Sequence, residues 1–148
     1  MMLDGDTRSR LIGPRMRGDG CAARAETWCR AFPGAPNQVG QARRFLADCL
    51  DGCTAADDAI VCLSELAANA VIHSNSRQPG GSFNVRVSRS RLGRIRVEVT
   101  DQGGPWSPGV DPDSQHGRGL LIVARLAAGW GISGQEDSRT AWLELDCP

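Results

Sequence analysis

The chain alternates between two hydrophobic periods, and the points of change outline its elements. Residues 25–32 read as a short strand before the turn cluster Pro33-Gly34-Ala35-Pro36. Val39, Ala42, Phe45, Leu46 and Cys49 recur at helical spacing, which predicts a helix over residues 38–50, capped by Asn37 and stopped by Gly52. Thr54 with Asp57 three residues on resembles a capping box and opens a second helix over residues 54–74. Beyond Pro79-Gly80-Gly81 the period falls to two. Phe83, Val85 and Val87 alternate with polar residues, as do Ile95, Val97 and Val99, so residues 90–93 join two strands in a hairpin. Residues 103–119 turn to Gly, Pro, Asp and Ser, a long surface loop of the kind that is functional or disordered. A third helix over residues 120–128 and strands over 130–133 and 140–145 complete the pattern. The order implies an α+β fold in two layers, one mixed and mostly antiparallel sheet covered by helices on one face. Residues 1–20 keep no period and read as a disordered tail, leaving 21–148 as a single domain.

Composition narrows the function. At 148 residues the chain has room for one domain with its own core. Its 17 Lys+Arg balance 17 Asp+Glu, which argues against direct binding of nucleic acid through a broad basic field. Every one of those cations is Arg, so chemistry that depends on lysine is excluded. Arg86, Arg89, Arg91, Arg94 and Arg96 cluster on the hairpin, where a solvated outer face accounts for them. The six cysteines include no Cys-x-x-Cys pair and suit small structural thiols better than a metal or redox site. No segment has the order of a signal peptide or the length of a membrane span. A cytoplasmic protein with reduced thiols and no membrane association is expected.

The second helix carries most of the information. Ile60, Leu63, Ala67, Ala70 and Val71 form one apolar face, while Val61, Cys62, Leu66 and Ile72 make the opposite side apolar too, which predicts a helix buried all round. Set into that second side, at intervals of one turn, are Glu65, Asn69 and His73. A carboxylate in such a place is costly unless paired or put to use. The amide oxygen of Asn69 suits a hard cation such as Mg²⁺. Hydrogen bonds to buried backbone account for Glu65 and Asn69 equally well, and the helix dipole accounts for His73.

Two glycine boxes follow. Asp101-Gln102-Gly103-Gly104 ends a strand, and parity turns Asp101 toward the same side as Ile95, Val97 and Val99. A carboxylate there can accept from the exocyclic amine of a purine, although alone the box also reads as a plain turn. His116-Gly117-Arg118-Gly119-Leu120 leads into a helix, and glycines before a helix N-terminus offer amides to phosphate. It matches neither the phosphate loop of the lysine-dependent kind nor the dinucleotide fingerprint.

Taken in order, Glu65-x-x-x-Asn69, Asp101-x-Gly-Gly, Gly117-x-Gly119-Leu120 and Thr140 resemble the ATPase superfamily of gyrase, histidine kinases and mismatch-repair ATPases. Within it the chain looks most like the small anti-sigma factor serine/threonine kinases of bacteria, over residues 31–148. The resemblance implies ATP and Mg²⁺ as cofactors, with Glu65 as general base and Asn69 as the Mg²⁺ ligand. It places Asp101 on the adenine with Gly103 beside it. Gly117, Arg118 and Gly119 would donate to the phosphates, Leu120 would begin the helix behind them, and His73 would belong to the nucleotide motifs. Thr140 matches the threonine near adenine, yet Ala141, Leu143 and Leu145 form the apolar set, which turns Thr140 to the other face unless a bulge intervenes. Residues 105–116 would form a short ATP lid whose closure needs a partner.

The function so implied is an anti-sigma factor that phosphorylates a serine or threonine of an anti-anti-sigma partner and sequesters a sigma factor, with a homodimer as its assembly. A non-catalytic ATP-binding module that sequesters a transcription regulator is the alternative, and the intact Glu65 favours the kinase.

Overall fold

The structure, a computed structural model, describes residues 25–104 and 115–147. The expected tail over residues 1–20 and most of the expected lid over 105–116 lie outside the described residues. Five strands, β1 (Ala25–Pro33), β2 (Ser82–Ser90), β3 (Arg94–Asp101), β4 (Gly129–Gln135) and β5 (Ser138–Asp146), form one sheet in the order β1-β2-β3-β5-β4. All four pairings are antiparallel, so the sheet is not mixed as the element order suggested. Among the described residues three α-helices pack on it: α1 (Gln38–Cys49), α2 (Ala56–His73) and α3 (Gln115–Leu126).

Strand alternation divides the sheet into a helix-covered face and an outer face. Val85, Val87, Ile95, Val97, Val99, Leu143 and Leu145 point toward the helices and are buried against Leu46, Leu63, Ala67 and Val123. Phe32 anchors one end of this core, stacked on Phe83 at 5.5 Å between ring centres and edge-on to Phe45 at 5.9 Å. On the outer face Arg94 and Arg96 bind Glu144, Arg94 also binds Asp146, and Arg96 also binds Glu98. The Arg96 guanidinium lies 4.3 Å from the centre of the Trp142 ring. Arg89 instead donates to the carbonyls of Cys49 and Asp51 at the end of α1, where a cation suits the helix dipole. Three of the five clustered hairpin arginines are thereby engaged within the fold.

Several local expectations are corrected. Asn37 sits in helical backbone and makes no side-chain cap, and Thr54 forms no capping box, since α2 is preceded by Ala55 with no side-chain cap. The Ala55 amide lies 3.3 Å from the Cys53 sulfur, while Asp57 and Asp58 supply negative charge to the first turn of α2. That helix is not buried all round, because Val61 is 42% exposed and Ile72 51%. The thiols are not all reduced: Cys53 and Cys147 form a disulfide between the α1–α2 loop and the end of β5. Burial pushes the Cys62 thiol up to about 11, with Asp58 and Glu65 adding to the shift, so it stays protonated at neutral pH, as a structural thiol should. Among the described residues no helix is long and apolar enough to cross a membrane.

Candidate functional site

Helix α2 forms the spine of the site. Its apolar residues hold it against β3 and the neighbouring helices, which fixes the direction of its polar stripe. Glu65 and Asn69 leave that stripe one turn apart, and His73 is the last residue of the helix. Asn69 is buried, and among the described residues its Nδ2 finds no hydrogen-bond acceptor, so a polar group capable of donation is held inside the protein. This orphaned donor separates Asn69 from an amide that merely satisfies the backbone.

Glu65 faces the first turns of α3. A Cβ built on Gly119 would lie 2.7 Å from the carboxylate Oε1 and 3.4 Å from the Glu65 Cβ, so a side chain at position 119 would push the carboxylate from its present place. The helix starts at Gln115 rather than at Leu120, which places Gly117 and Gly119 inside it and not in a preceding loop. The amides that have no partner within the helix are accordingly those of its first turn, residues 115–118. Leu120 is buried behind this turn. The side chains of His116 and Arg118 lie outside the described ones.

Beyond α2 the chain is fastened to the Asp101 box by a compact set of hydrogen bonds. Ser74 donates from Oγ to the Ala70 carbonyl at 2.6 Å, and the Ser76 amide donates back to Ser74 Oγ at 2.9 Å. The Gln102 amide donates to Ser76 Oγ at 3.0 Å, and the Asn75 amide to the Gly103 carbonyl at 2.8 Å. Ser76 is wholly buried, and side chains on Gly34 or Gly81 would collide with its carbonyl. Sequence reasoning missed Ser74 and Ser76; the only trace is two small hydroxyls directly after a buried helix.

Asp101 ends β3 on the helix-covered side, as parity predicts. The Gly103 amide donates to its Oδ1 at 2.7 Å. Gly103 itself has a φ of +74°, and its Cβ would sit 1.9 Å from the Glu136 carbonyl oxygen in the β4–β5 turn. The glycine is thus required by backbone packing, whatever a ligand demands. Burial pushes the Asp101 carboxyl above the usual carboxylate range, and the Gly103 amide and the Arg139 guanidinium draw it partly back.

The β3–β5 register runs unbroken, with no bulge to rescue the parity of Thr140. Thr140 pairs with Thr100, their hydroxyls 2.8 Å apart, on the outer face. It does not join Asp101. The residue across from Asp101 is Arg139, with Nε 3.6 Å from Oδ1, and sequence reasoning missed it. The arrangement therefore unites a carboxylate against a glycine-lined helix start, a buried amide one turn away, and a second carboxylate at a strand end. No group of three or more His, Cys, Asp or Glu that could hold a metal occurs among the described residues. Mg²⁺ commonly needs only one or two protein ligands alongside phosphates and water, so the buried Asn69 amide is compatible with it.

A sheet with helices on one face, carrying these groups at the helix–strand junction, defines an α+β domain with its polar site between α2, β3 and α3. The model of the histidine kinase-like ATPase domain matches residues 32–141, and the chain belongs to that family. Its fold is similar to the crystal structure of the RsbU and RsbW domains of Rv1364c from Mycobacterium tuberculosis, at a TM-score of 0.64 and 22% identity. That match covers 84% of this chain and 34% of the other, so the present chain spans about a third of its relative's length. The crystal structure of the SiaB-SiaC complex from Pseudomonas aeruginosa gives a TM-score of 0.52 and 14% identity, covering 79% of this chain and 88% of that one. No curated protein matches the sequence.

Proposed function

We propose that the protein is an ATP-dependent serine/threonine kinase that regulates transcription as an anti-sigma factor, with a small anti-anti-sigma protein as its substrate. Membership of the histidine kinase-like ATPase family supports ATP as the nucleotide. The observation that carries the kinase reading is the Glu65 carboxylate, packed against Gly119 of α3 and one turn from the orphaned Asn69 donor. A module that only binds nucleotide has no need of that carboxylate.

In this reading Asp101 accepts from the exocyclic amine of adenine, and His73 belongs to the same nucleotide-binding end. The first-turn amides of α3, those of Gly117 and Arg118 among them, donate to the phosphates, while Gly119, deeper in the helix, makes room for Glu65. Asn69 holds Mg²⁺, which when bound supplies charge neutralisation for the phosphates. Glu65 accepts the proton of the partner's hydroxyl as its oxygen bonds to the γ-phosphorus. The bond from that phosphorus to the bridging oxygen breaks, and ADP leaves with the electron pair. Thr140 has no part in these steps, since it lies on the outer face.

Incubation with Mg-ATP and a cognate anti-anti-sigma protein tests the proposal. The partner should gain the mass of one phosphoryl group on a serine or threonine. ATP binding with an unmodified partner would instead favour the non-catalytic module.

A further inference from the structure

We infer that Arg139, rather than Thr140, is the residue β5 contributes to the base-reading end of the site, where it positions the Asp101 carboxylate. This rests on the reading of the site as an ATP site. The β3–β5 register pairs Asp101 with Arg139 and Thr100 with Thr140, so the two pairs occupy opposite faces of the sheet. Both charged side chains are nearly buried, at 10% exposure for Asp101 and 11% for Arg139. Neither serves as an ordinary solvated surface charge.

Two groups converge on one carboxylate oxygen. The Gly103 amide donates to Oδ1 at 2.7 Å, and Arg139 Nε stands 3.6 Å from the same atom. The hydrogen bond from Gly103 restrains the rotation of the carboxylate about its last bond, a torsion that is otherwise broad, and the ion pair with Arg139 draws it the same way. Both contacts lie on Oδ1, so in this assignment Oδ2 is the oxygen that accepts from the base amine.

Arg139 also governs the charge state. A nearly buried carboxyl favours its neutral form, which is the wrong form to accept from an amine. Among the described residues, the neighbouring elements also carry Glu65 and His73 on the helix packed over β3, Arg77 just beyond that helix, and Glu136 and Asp137 in the exposed β4–β5 turn. The charge that acts on Asp101 is that of Arg139, and it favours the carboxylate.

The test is ATP affinity measured by calorimetry from acid to neutral pH for the parent protein, Arg139→Gln, Arg139→Met, Arg139→Lys and Thr140→Val. Arg139→Met keeps the packing of the side-chain stem while removing its charge, and serves where glutamine does not fold. The parent should lose affinity on acidification as Asp101 protonates. Both neutral variants should lose it at a pH higher by about one unit or more, as removal of an adjacent opposite charge requires. Arg139→Lys should restore the parent profile at least in part, and Thr140→Val should leave it unmoved. An unshifted profile in the neutral variants, or a shifted one in Thr140→Val, overturns the assignment while the ATP reading stands. No ATP binding by the folded parent overturns the ATP reading, and the role of Arg139 falls with it.

Discussion

Asp101 is pushed toward its neutral form by burial, whereas the role proposed for it needs its charge. Its folded value lies above the ordinary one because of burial, so its ionisation opposes folding. Its contribution to stability is full in acid and is lost as pH rises through the raised value. Nucleotide affinity runs the other way and is lost as pH falls through it. If Asp101 reads the adenine amine as proposed, Asp101→Asn removes that acceptor, and ATP affinity should fall by roughly 10–100-fold, the worth of a hydrogen bond to a charged group. Competition between ATP and GTP on the parent and the variant checks this; equal affinities on the parent would remove Asp101 as the base reader. Glu65, Asn69 and Asp101 were legible in the sequence because polar side chains interrupt apolar patterns there. Arg139 was not, since its placement follows from a one-residue parity against β3, and the family motif draws attention to its neighbour Thr140.

At the scale of elements, the junction between α2, the Asp101 box and the β4–β5 turn is held by backbone contacts that leave no space for side chains. A Cβ at Gly103 meets the Glu136 carbonyl oxygen at 1.9 Å in a backbone with φ of +74°, whereas Gly80, at φ +81°, has nothing within 4 Å. Gly103→Ala should therefore destabilise the protein by about 3 kcal/mol or more, combining backbone strain with overpacking. Gly80→Ala should cost about 1 kcal/mol from strain alone. Thermal melting of the two variants checks the difference, and equal losses would contradict the packing account. The hairpin and the bodies of α1 and α2 were readable from period alone. The start of α3 was not, because Gly117 and Gly119 are poor helix formers and their place in the helix depends on tertiary packing, visible at Gly119 against Glu65. The caps at Asn37 and Thr54 failed for a related reason, since packing sets the helix ends without them.

For the molecule as a whole, the strand order β1-β2-β3-β5-β4 and the Cys53–Cys147 bond join parts of the chain that no local pattern connects. The order of the motifs did carry the family, because they fall in sequence on α2, β3 and α3 within the matched residues 32–141. The central claim is that this site performs phosphoryl transfer, and Glu65 separates transfer from binding. Glu65→Gln preserves shape and removes the proton acceptor. The deciding measurement is single-turnover phosphorylation of a partner by the parent and by Glu65→Gln, with ATP affinity and melting temperature taken on the same preparations. The account predicts a loss in rate of about 10²–10⁴-fold with ATP affinity and melting temperature little changed. Transfer at the parent's rate would contradict it.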